Sequence, residues 1–137
     1  MKLWYAILAD AVVVVHLAYV TFVTLGLVLI LLGWLLGWQW VRNFWFRALH
    51  LVMMGIVVAE ALLGIVCPFT TWEQQLRRLA GQATYTGDFL GHWSHELLFF
   101  EADPWVFTAI YCLFGAVVLA TYWLVPPRRP AFSRRED

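Results

Sequence analysis

An all-α integral membrane bundle is the fold that this sequence predicts, and three observations point to it. The 137 residues are 63% hydrophobic and only 13% charged, whereas soluble domains average roughly 45–50% apolar and about 25% charged residues. The apolar residues gather into three long stretches, around 5–38, 45–67 and 105–125, each matching the roughly 20 residues that cross a bilayer core about 30 Å thick. Mean hydropathy is accordingly +0.75. An ordinary globular enzyme is excluded by this composition, and a net charge of zero gives no reason to expect a nucleic-acid partner. The lipid bilayer is the first partner the chain implies.

The first stretch is too long for a cleavable signal and lacks a small-residue cleavage site, so it reads as a retained anchor. Trp34, Trp38, Trp40 and Trp45 cluster at its far end, as an interfacial aromatic belt does. Counting back about 20 residues from that belt leaves residues 4–15 projecting beyond the bilayer, where something must cover them. The connection 68–103 is available. In it, Pro68 ends the second span, because it lacks an N–H and disfavours helix at the residue before it. Thr70 with Glu73 three residues on has the spacing of a capping box, which gives both residues a structural role. Trp72, Leu76 and Leu79 form one apolar face, Arg77 and Arg78 the wet face, and Gly81 a C-cap. Asp88 caps a second short helix, "FLGHWSHELLF". The expected architecture is thus three transmembrane helices, the first one long, with two short amphipathic helices on the outer face, all in one membrane domain.

Orientation follows from the arginines. Arg42 and Arg47 lie between the first two spans, and Arg128, Arg129, Arg134 and Arg135 lie in the tail 126–137. Cytoplasmic connections are enriched in Lys and Arg. The N-terminus and the 68–103 cap then face outward, toward the periplasm of a bacterial inner membrane.

Rare polar residues locate the candidate site. On the first span His16, Tyr19, Val23, Gly26, Ile30, Gly33 and Gly37 share a face; on the second, His50, Met53, Val57, Glu60, Gly64 and Cys67 do. Such mixtures of small and polar residues are what membrane helix interfaces favour, so the two faces are expected to meet, closed by Thr108, Cys112 and Gly115. A charge in lipid costs from about 3 to more than 10 kcal/mol, so Glu60 should pair or work. For a hairpin turning near Trp40, residue i lies roughly level with 80 − i, which puts His16 level with Gly64, about 6 Å from Glu60, and leaves His50 about 20 Å away. Haem ligated by His16 and His50 is therefore disfavoured. A disulfide between Cys67 and Cys112 is disfavoured too, by their difference in height.

The expected site is an outer-leaflet cluster of His16, Glu60 and His92. Asp10, Cys67, His95 and Glu96 stand as additional candidates, and His50 with Met53 or Met54 as a separate, inner one. His92, His95 and Glu96 share one helical face. Two imidazoles with a carboxylate suit a transition metal, and His16 with His92 or His95 suits a haem iron. No His-Glu-x-x-His or Cys-x-x-Cys spacing accompanies them. Cys67 and Glu73 have plain structural readings as well, a buried thiol and a cap.

The set formed by His16, "LHL" with His50, "CPFTTWE" and "GDFLGHW" with His92 resembles a family of small bacterial inner-membrane proteins of unassigned function. Its pattern includes a Cys-Pro-Leu-Thr-x-x-Glu exit from the membrane and a Gly-Phe-Ile-x-His-Tyr segment; here Phe69 and Trp93 replace Leu and Tyr. The resemblance implies fold and localisation but no reaction. Three functions are thus expected: a transition-metal or haem site for redox chemistry or metal handling, an accessory or assembly subunit bound to other membrane proteins, and a small proton or ion conductor acting as an oligomer through His50, Glu60 and Asp10.

Overall fold

The computed structural model describes residues 1–85, 92, 96 and 103–130. Among the described residues four helices are delimited, α1 (Lys2–Leu36), α2 (Phe44–Leu63), α3 (Pro68–Ala80) and α4 (Pro104–Leu124), with a 3-10 turn at Trp40–Arg42. Among the described residues there is no strand. Three helices, α1, α2 and α4, are long and apolar enough to cross a membrane. The second predicted cap helix falls outside the described residues except for His92 and Glu96, both helical.

The second span is shorter than expected. It stops at Leu63 because Gly64 takes a left-handed conformation, φ 66°, which lets the Ile65 N–H reach back to the Glu60 carbonyl at 2.9 Å. This 6→1 closure is the usual glycine stop. Pro68 therefore does not end α2. It opens α3 as the first helical residue, where its missing N–H costs nothing. The same glycine stop closes α3 at Gly81, as the sequence leads one to expect, and closes α1 at Gly37.

The α1–α2 hairpin is in a different register from the one expected. The Tyr19 hydroxyl donates to the Met53 carbonyl at 2.6 Å. His50 Nε2 lies 2.8 Å from the Val23 carbonyl oxygen, and Val41 packs where a side chain on Gly33 would stand. Residue i thus faces roughly 73 − i, a shift of about two helical turns. The cause is the early stop at Gly37 followed by a compact turn. The apolar faces themselves are as read: Val23, Gly26, Leu27, Ile30 and Gly33 of α1 are buried, and Val23 and Leu27 join Met54 of α2 and Val118 of α4 in the core. On α4 the buried residues are Phe107, Val118 and Thr121. Gly115 admits Val58, whose Cγ2 would lie 2.6 Å from a Cβ carried at position 115.

At the turn end, Arg47 is only 2% exposed. Its guanidinium donates to Thr121 Oγ1 at 3.2 Å and to the carbonyls of Thr121 and Val125 at 2.7 and 3.2 Å. These carbonyls belong to the last turn of α4, where helices leave orphan acceptors. Arg47, which the sequence offers as a topology signal, is thus also a staple between α2 and α4.

Candidate functional site

Helix α3 lies antiparallel along the N-terminal half of α1. The Phe69 ring sits 5.7 Å from the His16 ring and 6.0 Å from Tyr19, Arg77 reaches Asp10 at 3.3 Å, and Gly81 comes beside the Lys2 ammonium. The stretch 68–80 therefore covers the part of α1 that was expected to need cover.

The helix is turned the opposite way from a soluble amphipathic helix. Thr70 and Glu73 are buried, whereas Trp72 and Leu79 are exposed. In a membrane setting this is the expected sense, because polar residues face the bundle interior and apolar ones face lipid. It also corrects the capping assignment. The N-cap is Cys67, not Thr70, and Thr70 sits fully inside with no hydrogen-bond partner for its Oγ1 among the described residues.

Glu73 is the centre of the junction. It is 3% exposed, and both of its oxygens are used: Oε1 accepts from Arg77 Nε at 2.7 Å and Oε2 from the Tyr85 hydroxyl at 2.8 Å. The Arg77 guanidinium continues to Asp10 Oδ1 at 3.3 Å and to Gln82 Oε1 at 3.0 Å. Its hydrogen bond to Glu73 raises it further above its ordinary value, so it stays cationic at any working pH. The buried His16 packs against Phe69 of α3. The Tyr85 ring lies flat against His92, with centroids 3.9 Å apart and planes 8° from parallel. Glu73 thus reaches His92 through Tyr85, while His16 meets the same helix at Phe69. Two carboxylates, Asp10 and Glu73, share the Arg77 guanidinium.

Other expected site residues lie elsewhere. Glu60, half-buried near the end of α2, interacts with the Cys67 thiol and acts electrostatically on Tyr19. Burial raises the Cys67 thiol above its ordinary value, and Glu60 adds to this. Cys67 and Cys112 are both free. His50 is 1% exposed; since a carbonyl oxygen only accepts, its Nε2 carries the proton and donates to Val23, and its ring stacks on Phe46. Its place exists because Gly26 has no side chain: a Cβ there would lie 2.5 Å from His50 Cδ2. Glu96 is exposed, and His95 lies outside the described residues. Among the described residues, no group of three or more His, Cys, Asp and Glu side chains stands close enough to share a metal ion.

Sequence reasoning missed the roles of Arg77 and Tyr85 in this cluster. The Glu73–Arg77 pair has the i, i+4 spacing of a helix ion pair, which was the available signal. Tyr85 carried none.

Neither the curated proteins nor the solved structures contain a match to this chain. A family model does match, over residues 6–127, nearly the whole length, and by it the chain belongs to the family described as Protein of Unknown function (DUF2784).

Proposed function

We propose that the α1–α3 junction is a cation site in which His16 and His92 hold a transition metal or a haem iron, supporting redox chemistry or metal handling. The observation that carries this reading is the buried Glu73, whose partner Tyr85 stacks on His92 while Phe69 of the same helix packs on His16. Metal-bound histidines are usually oriented by a carboxylate behind them, and losing it weakens metal binding about 10–100-fold. Glu73 would support His92 at one remove, through Tyr85, while Arg77 can remain paired with Asp10. Glu60, expected beside His16, is the other candidate carboxylate of the proposal. The test is metal analysis and an optical spectrum of the protein purified in detergent. About one metal or haem per chain, lost in His16→Ala and in His92→Ala, is the expected result; a metal-free protein that cobalt(II) or haemin does not alter ends the proposal.

A second reading is proton transfer, in which the buried carboxylate of Glu73 takes up and releases a proton. It is favoured by the Asp10 side chain, 70% exposed, which leads through Arg77 to the buried Glu73. Proton flux in liposomes that vanishes in Glu73→Gln, with no metal bound, would select it.

We further propose that the chain lies in a bacterial inner membrane with its N-terminus outside. Support comes from Arg42 and Arg128, which meet at one end of the molecule through the Arg128 N–H and the Arg42 carbonyl. A partner subunit is a further element of the proposal: Leu3, Trp4, Ile7 and Leu8 of α1 stay exposed although α3 packs along that half of the helix.

A further inference from the structure

At the other end of the molecule lies a cleft of about 500 Å³ between the α1–α2 turn and the chain after α4. Its polar lining is Gln39, Asn43, Arg128 and Arg129, its apolar walls include Trp40 and Trp45, and among the described residues no acidic one lines it. Arg128 is fixed in place, with its backbone N–H on the Arg42 carbonyl at 2.7 Å and its guanidinium on the Gln39 side-chain oxygen. Arg129 makes no hydrogen bond or ion pair among the described residues. Two guanidiniums thus converge on an open space with one of them uncommitted, and both tryptophans beside it are exposed. Exposed tryptophans at the ends of apolar helices mark the headgroup level of a bilayer. Arginine is the side chain best shaped to take a phosphate by paired hydrogen bonds.

We propose that this cleft binds the phosphate of an anionic phospholipid headgroup, with Arg129 as the principal ligand and Arg128 as its fixed neighbour. Such binding needs only that the apolar helices lie in a membrane; it is independent of the α1–α3 junction. The occupant is a lipid rather than free phosphate because the cleft is walled by interfacial tryptophans, beside which acyl chains run.

The experiment uses the full chain in detergent, titrated with phosphatidylglycerol or phosphatidylcholine carrying brominated acyl chains, with tryptophan quenching as the readout. Phosphatidylglycerol should be preferred, and Arg129→Gln should reduce that preference about fivefold, the effect of one arginine at an anionic surface. Since Arg129 holds nothing else in place, this variant should fold as the parent does, which circular dichroism checks. The double variant R128Q/R129Q should abolish the preference. Equal quenching by the two lipids, or a preference unchanged in Arg129→Gln, would overturn the proposal. Displacement of the lipid by inorganic phosphate at an equal concentration would overturn the assignment of a lipid as the occupant.

Discussion

Each end of the bundle holds one arginine in place, and the two are neutralised differently. Arg77, at the α1–α3 junction, faces two carboxylates and a phenol that shares Glu73 with it. Arg47, at the turn end, faces a hydroxyl and two carbonyls of α4, with the Tyr122 ring 5.3 Å away. Carbonyls at a helix C-terminus carry a partial negative charge that favours a cation, but they cannot take up or release a proton. Carboxylates can, and can exchange partners. A staple is thereby distinguished from a site: the turn end holds helices together, while the junction holds a charge that can be rebalanced.

Breaking the staple should have the largest effect on stability. Arg47→Ala leaves the buried Val125 carbonyl without its donor, since Thr121 keeps the Val125 N–H, and unties α2 from α4; it is expected to cost about 2–4 kcal/mol, read as a lower midpoint of unfolding in detergent. Arg47→Lys should recover only part of it, because an ammonium cannot reach Thr121 and Val125 with the same fork. Next comes Gly26→Ala, which forces His50 out of its place against Val23 and should cost about 1–3 kcal/mol. Glu73→Gln should cost about 1–2 kcal/mol, since Arg77 keeps Asp10 and Tyr85 keeps an oxygen acceptor, while any bound metal is weakened far more. A loss of stability in Glu73→Gln equal to that of Arg47→Ala, with metal unaffected, would erase the distinction between the two ends. Asp10→Asn should change stability by less than about 1 kcal/mol, because its ion pair is exposed.

The smallest effect concerns pH. The Cys67 thiol has its folded value raised above the ordinary 9.0 by burial first and by Glu60 second. Its contribution is therefore fully present below the unfolded value and is lost as pH rises through the raised folded one. Stability should be level with respect to this group from about pH 6 to 8 and fall above about 9, and Cys67→Ser should flatten that fall. Alkylation of Cys67 should likewise be slower in the folded protein than in the unfolded chain.

The fold was largely legible because lipid imposes length and polarity on every spanning helix. The buried stripe from Val23 to Gly33 could be read directly, since small and polar residues at helical spacing in so apolar a segment have few other uses. The register could not. It depends on where Gly37 stops α1 and how tightly Trp40–Arg42 turns, and such local stops shift every cross-helix pairing. Glu60 stood out as the carboxylate of the α2 stripe nearest His16, in the expected and the observed register alike; Glu73 was hidden behind its capping-box spacing with Thr70. What that pattern could not carry was the orientation of α3. A polar face that would point to water in a soluble domain points here to α1, and so the residue taken as a cap became the centre of the α1–α3 junction.

Cobalt(II) affinity in Glu73→Gln and Glu60→Gln, measured side by side by optical titration of the purified protein, decides whether the junction around Glu73 is the site. A loss of about 10–100-fold in Glu73→Gln beside an unchanged Glu60→Gln is the expected result. The reverse order, with Glu60→Gln impaired and Glu73→Gln indistinguishable from the parent, would contradict it.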